Sequence, residues 1–391
     1  MELNCDVLVV GCGPAGATAA RAAALGGAKV ICIEKKREIG NPVQCAEGIG
    51  SYLFQNLPFK IPEEQLKWKI DGIHFWVDGK SITRKGELWS GYTIDRREFE
   101  QWLAREAVNA GARVSTDTEL TELKMKAEWV DKVTVINNGR ETTIRPKVIV
   151  AADGSESRVL SLLGKYKRTR ANVAEVYSWE IHNLKLETPH LEQLYIGDFA
   201  PGGYGYIFPK SNTSANVGVG ASMHHKSIKE YYEHFIEMPE IKKQINGGTA
   251  HVEKTKKAIW GDITDEWIFG NVIAAGDTAN HNLKPFIEGI LPAVISGNIA
   301  GELAQVLSSG KEITHKHYLD QIRKRLHPHF DASNEIYEKC NSLFRTRDKH
   351  KHLLFAGLAA QLFELEEIDE LRRLTYEALE ARFIEESVKA R

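Results

Sequence analysis

What this sequence lacks narrows its class before any motif is read. It has almost no net charge: 51 Lys and Arg against 53 Asp and Glu leave −2. That excludes the cationic excess with which a nucleic-acid binder neutralises phosphates. Cysteine is scarce, and Cys5, Cys12, Cys32, Cys45 and Cys340 fall in no metal-ligand spacing. Cys12 lies inside a glycine-rich turn and Cys32 inside an apolar strand, so both read as small core residues, and the set predicts a reduced, cytoplasmic compartment. No apolar run is expected to reach membrane-spanning length, and the first residues read as a strand rather than a signal peptide. There is no internal repeat and no low-complexity tract. At 391 residues, 42% hydrophobic and 27% charged, the chain is long enough for two domains with substantial cores.

What is present is concentrated first between Cys5 and Glu34. Asp6–Val10 is a short apolar run of strand type, followed at once by Gly11-Cys12-Gly13-Pro14-Ala15-Gly16 and an Ala-rich helix to about Leu25. A second apolar run, Lys29–Ile33, ends on Glu34. Strand, Gly-x-Gly-x-x-Gly, helix, strand and acid together form a dinucleotide fingerprint. Gly11 permits the tight turn, Gly13 lets the backbone approach a pyrophosphate, and Gly16 lets helix and strand pack closely. The helix start offers free N–H groups and a positive dipole end to phosphates, and Glu34 can accept from ribose hydroxyls.

Further along, Ile70–Thr83 predicts a hairpin, with Ile73, Phe75 and Val77 alternating and a turn at Asp78-Gly79. Asp95 is the expected N-cap of a helix carrying Phe99, Leu103 and Ala107 on one face. A second hairpin is expected around Asn138-Gly139, then an apolar strand from Val148 to Ala152 broken by Asp153-Gly154. Between Asn172 and Trp260, strand-like stretches rich in aromatics (Ala174–Ile181, Gln193–Phe199, Tyr204–Phe208, Ala215–Val219) predict a second, antiparallel sheet. Tyr177, Trp179, Tyr195, Phe199, Tyr204, Tyr206 and Phe208 could line an apolar pocket, and each alone is better read as core. Asn271–Ala275 returns as a buried strand, Glu288-Gly289-Ile290 starts a small-residue helix, and everything after Lys311 reads as helical. The basic, His-rich stretch Arg345–His352 reads first as a solvated face and second as a contact for anionic head groups.

Four of these motifs in order, Gly11-x-Gly13-x-x-Gly16 with Glu34, Asp95-Arg96, Ala152-Asp153-Gly154 and Gly276-Asp277, resemble the FAD-dependent oxidoreductases related to p-hydroxybenzoate hydroxylase. Within that superfamily, Gln44-Cys45-Ala46-Glu47-Gly48 and Tyr204-x-Tyr206-x-Phe208-Pro209 followed by Gly218-x-Gly220 are similar to the geranylgeranyl reductases, which saturate isoprenoid double bonds. Two departures stand out: Tyr206 replaces the family's usual Trp, and Ile287-Glu288-Gly289-Ile290 replaces a run of three glycines before the isoleucine. The resemblance implies an α/β fold: a Rossmann-like FAD-binding domain (1–170 and 265–310), an inserted antiparallel-sheet substrate domain (65–95 and 171–264) and a helical C-terminal region (311–391).

Residue by residue, the resemblance implies that Ala15, Glu34 and Leu120 contact the ADP half of FAD and Arg96 its phosphate or ribose. Cys45, Ala46 and Gly48 would lie beside the isoalloxazine, Asp277 on the ribityl chain, and Gly289 and Ile290 at the pyrimidine edge. Tyr204, Tyr206, Phe208, Pro209, Gly218 and Gly220 would form the substrate site. Saturating an isolated alkene needs a hydride at one carbon and a proton at the other. The protein's part is positioning and exclusion of water. For the proton, Cys45 competes with Glu288, whose burial would raise its pKa; Cys45 is equally a small side chain filling space. The expected partners are an isoprenoid lipid and an electron donor, which could be ferredoxin, NAD(P)H or a deazaflavin, with peripheral membrane contact. Two other readings are a flavin-dependent monooxygenase or halogenase, and a FAD-bearing isoprenoid carrier without catalysis.

Overall fold

The computed structural model describes residues 2–166, 173–223, 225–259, 266–326 and 328–390. Five parallel strands form the centre of the eight-stranded first sheet, in the spatial order Arg113–Ser115, Val30–Ile33, Glu2–Val10, Arg140–Ala151 and Val272–Ala274. In chain order these are the third, second, first, fourth and fifth, so the order reverses beside Glu2–Val10. Val7, Leu8, Val9, Val148, Ile149 and Val150 are all fully buried, as continuous apolar runs in a covered parallel sheet should be. Arg140–Ala151 is one strand where the sequence suggests two: its outer half forms the expected hairpin with Trp129–Asn137, and its inner half enters the core.

Helix Pro14–Leu25 lies against helix Ile290–Ser308, and the contact is close because Gly297 and Gly301 leave no Cβ to strike the Ala15 and Ala19 carbonyls. Ile290–Ser308 corrects one expectation. Its 19 residues, with a mean hydropathy of 1.4, are long and apolar enough to cross a membrane. Here 78% of an 18-residue stretch of it is buried inside the protein, packed as a core helix.

The second sheet runs Thr249–Ile259, Val173–His182, Ala215–Ala221, Tyr204–Pro209, Leu191–Ile196, Gly72–Val77 and Lys80–Lys85. It is antiparallel except where Leu191–Ile196 meets Gly72–Val77 in parallel. Those strands come from segments more than a hundred residues apart, and no tight turn dictates their relative direction. Thr249–Ile259 carries few apolar residues and sits at an edge, which is why its sequence does not announce a strand. The helices Ile228–Ile236 and Pro239–Ile245 lie between the last expected strand-like stretch, which ends at Val219, and this edge strand.

One face of this sheet packs on Tyr231, Tyr232 and Phe235, and the other on the C-terminal helices, where Phe75, Leu194 and Ile196 share a core with Leu353, Phe355 and Phe383. The C-terminal helices thus complete the second sheet. Their basic stretch is only partly a solvated face: Arg347 donates to the Tyr231 hydroxyl, Lys349 pairs with Asp78, and His352 is buried. A third, small sheet of Gly48–Gly50, Gly91–Thr93 and Trp68–Ile70 follows directly on the loop that carries Cys45. The expected breaks at 170 to 171 and 264 to 265, with the limits Asn172 and Trp260, lie outside the described residues.

Candidate active site

The carboxyl ends of the parallel strands open at the point where strand order reverses, which is where such sheets bind ligands. Gly11 ends Glu2–Val10 at φ 93°, and a Cβ there would strike the backbone of Ala152 and Asp153 at the end of the neighbouring strand. Gly16 packs against the Gly11 carbonyl with no room for a side chain. Helix Pro14–Leu25 has no side-chain cap at Gly13 and no acidic residue in its first turn, leaving its N–H groups and dipole directed at whatever anion enters. The Glu34 carboxylate accepts from Cys12 N at 2.9 Å and Lys36 N at 3.0 Å, tying the second strand's end to the glycine turn.

A cavity of about 520 Å³ runs from this turn to the second sheet. Its wall includes Gly11, Gly13, Ala15, Glu34, Arg96, Leu120 and Asp277 at the nucleotide end, then Cys45, Ala46, Gly48, Glu288, Gly289 and Ile290. Tyr204, Tyr206, Phe208 and Gly220 line it on the side of the second sheet. Three residues singled out from sequence are not on the wall. Gly16 lies beneath the turn, and the Pro209 carbonyl accepts from Thr93 Oγ1 at 2.6 Å. Gly218 lies under Tyr206, whose ring would be 2.5 Å from a Cβ there. The aromatic set divides by strand alternation: Tyr177, Tyr195 and Phe199 belong to the core on the sheet's far face, while Tyr204, Tyr206 and Phe208 face the cavity.

Beneath Cys45 lies a charged cluster that sequence reasoning missed. Glu47 is buried at φ 73°. Its carboxylate accepts from Lys254 Nζ at 2.8 Å, Lys210 Nζ at 2.9 Å, Asn216 Nδ2 at 2.9 Å and the Arg96 N–H at 3.0 Å. Burial pushes the Glu47 pKa up, but the two lysines outweigh it and hold the carboxyl below its ordinary value. Lys210 also reaches Glu180 at 2.9 Å; against the cost of burial, that bond and charge bring Glu180 down to about 2. The Glu47 N–H donates to Cys45 Sγ at 3.2 Å, and Asn216 Nδ2 donates to the Ala46 carbonyl at 2.9 Å. Second-sheet residues therefore hold the Cys45–Gly48 loop by its backbone and its acid. Asn216 and Lys254, polar side chains in buried strand positions, were the available signal. Arg96 is held by Glu100, with Nε at 3.0 Å; burial disfavours its charge, but the Glu100 carboxylate more than compensates and raises its pKa.

Glu288 reaches the same place from the far side. Its carboxylate accepts from the Tyr52 hydroxyl at 2.5 Å and from Gly50 N at 3.1 Å. Ile287 beside it sits at φ 58°, a left-handed conformation costly for a β-branched residue and natural for the glycine that the resemblance leads one to expect there.

Residues 4–318 match the family model described as FAD binding domain. The digeranylgeranylglycerophospholipid reductase of Methanocaldococcus jannaschii is 36% identical over 348 residues, covering 86% of this chain and 87% of that protein. This chain belongs to the digeranylgeranylglycerophospholipid reductase family of FAD-binding oxidoreductases. Among solved structures, a geranylgeranyl bacteriochlorophyll reductase-like protein from Thermoplasma acidophilum superposes with TM-score 0.77 at 25% identity, covering 100% of this chain and 98% of that one. The myxobacterial chondrochloren halogenase, with TM-score 0.71 and 18% identity over 99% of this chain and 97% of that one, shares the fold alone.

FAD, the cofactor of this family, suits what the chain offers. The uncapped helix start and the side-chain-free turn suit a pyrophosphate, and Glu34 stands at the second strand's end, where an adenosine ribose belongs.

Proposed function

We propose that this member of the digeranylgeranylglycerophospholipid reductase family saturates carbon–carbon double bonds in the isoprenoid chains of membrane lipids. The observation that carries the reading is one continuous cavity of about 520 Å³, which has a nucleotide cradle at one end and Tyr204, Tyr206, Phe208 and Phe286 at the other. Bound and reduced, FAD supplies hydride to an alkene carbon. The residues of the chain do the rest. Gly13, Ala15, Glu34, Leu120 and Arg96 hold the ADP half, while Asp277, Gly289 and Ile290 fix the far half. Cys45, Ala46 and Gly48 form the surface where cofactor and alkene meet. The aromatic wall, with Gly220 beside it, orients an apolar chain and excludes water, and Gly218 leaves room for the Tyr206 ring to lie on the sheet.

The turn Glu87–Trp89 supports a lipid rather than a small soluble substrate. Leu88 is 44% exposed and also lines the cavity, so an isoprenoid tail can enter there from the surface of a bilayer while the protein stays peripheral. The test is anaerobic incubation of dithionite-reduced holoprotein with a digeranylgeranyl glycerophospholipid, read by flavin absorbance and lipid mass. Reoxidation with a gain of two hydrogens per bond is expected. Reoxidation by oxygen alone would sink the reading.

A further inference from the structure

The strand Gly48–Gly50 has glycine at two positions that share a face. A Cβ on Gly48 would collide with the Glu192 carboxyl, and one on Gly50 would meet Tyr52 and, at 3.3 Å, Glu288 Oε1. The glycines thus leave space for two carboxyl groups side by side at the junction of the nucleotide and aromatic ends. Glu192 comes from strand Leu191–Ile196 of the second sheet and lines the cavity. Its cross-strand partner is Ile73, and Phe208 packs against the same glycine.

The two acids differ in their partners. Burial raises the Glu288 pKa, and the hydroxyl and backbone N–H from which it accepts pull it only part of the way back. Among the described residues, the Glu192 carboxyl has no hydrogen bond or ion pair. Neighbouring carboxyls do not both ionise readily, and the one without donors keeps the proton. We propose that Glu192 is the acid that delivers the proton in alkene saturation, with Glu288 as the neighbouring carboxyl whose own hydrogen-bond donors leave the proton to Glu192. The inference rests on the isoprenoid-reducing function proposed above.

In the step, the alkene π bond breaks and two C–H bonds form. One carbon takes the hydride that bound, reduced FAD would supply, FAD thereby being oxidised, and the other takes the proton of Glu192, which ends as a carboxylate and regains a proton from water after product leaves. Burial, then the charge of Glu288, pushes the Glu192 pKa up to about 8, so the acid form is present at neutral pH. The titratable groups near it are Glu288, which is bonded to Tyr52, and Tyr204, which also feels Cys45.

Two measurements on the holoprotein and its Glu192→Gln variant test this. Infrared difference spectra across pH should show a protonated-carboxyl band in the wild type that fades near pH 8 and is missing from Glu192→Gln. A band that survives the substitution overturns the proposal. In anaerobic single turnover of dithionite-reduced protein with the digeranylgeranyl lipid, Glu192→Gln should slow reoxidation by about 10²–10⁴-fold. Glu288→Gln should move the basic limb of the wild-type rate profile to lower pH. If wild type is reoxidised and Glu192→Gln matches it, the donor role fails alone. If Cys45→Ala loses the rate while Glu192→Gln keeps it, the proton comes from Cys45 and the proposal is wrong. If wild type is not reoxidised by the lipid, the isoprenoid reading fails and takes the donor role with it.

Discussion

The two ends of the cavity are built from different materials. At the nucleotide end, the working groups are backbone: the glycine turn, the uncapped helix start, and the strand ends holding Glu34 and Asp277. At the other end they are side chains from separate segments: Cys45 and Glu47 from one loop, Lys210, Asn216 and Lys254 from the second sheet, Glu192 from another strand and Glu288 from the loop before the core helix. A backbone cradle tolerates almost no added volume and is indifferent to charge elsewhere. A side-chain cluster tolerates volume better but depends on every charge having its partner.

Substitutions at the two ends should therefore fail differently. The largest effect is expected from Gly16→Val, whose side chain has no space against the Gly11 carbonyl. Destabilisation by about 3 kcal/mol or more, read by thermal unfolding, should accompany loss of yellow colour. A stable, yellow variant would break the backbone-cradle account.

Glu47→Ala leaves Lys254 buried with its main counter-charge removed, at a cost of about 3 kcal/mol; pairing it with Lys254→Met should recover part of that. The wild-type contribution also has a pH signature. Because the folded-state pKa of Glu47 is depressed, its stabilisation is complete above the ordinary glutamate range and is lost as pH falls through the folded value. Acid unfolding of Glu47→Gln should be correspondingly less steep, and an unchanged acid limb would mean the cluster is energetically silent.

Glu34→Arg replaces an acceptor with a cation at the adenosine and should weaken FAD retention by about 2 kcal/mol, measured by flavin release on dilution, with the second sheet undisturbed. Smallest is Gly218→Ala, which presses on Tyr206 and should cost about 1 kcal/mol. It should keep FAD while altering turnover of the lipid. Loss of FAD there would show that the two ends are less independent than their construction implies.

Much of this fold could be read along the chain, for reasons visible in particular elements. Asp95 caps helix Arg96–Asn109 by accepting from Glu98 N, and Asp78-Gly79 both take positive φ in the hairpin turn. These are local devices whose chemistry is complete within a few residues. The parallel pairing of Leu191–Ile196 with Gly72–Val77, and the seating of the second sheet on the C-terminal helices, have no such local mark.

By itself, the sequence determined the nucleotide cradle, because contiguous residues supply its backbone geometry: strand, glycine turn, helix and acid follow one another from Asp6 to Glu34. It also showed a helix rich in small residues starting near Ile290, but only packing against Pro14–Leu25 and the sheet decided that Ile290–Ser308 is core. Tertiary structure alone decided which aromatics face the cavity, since the side of a strand is set by what covers the sheet. It alone brought Lys254 and Lys210 to Glu47, and Glu192 beside Glu288. Charge interactions act across space with no regard for distance along the chain, so nothing at position 47 or 192 announces a partner at 254 or 288.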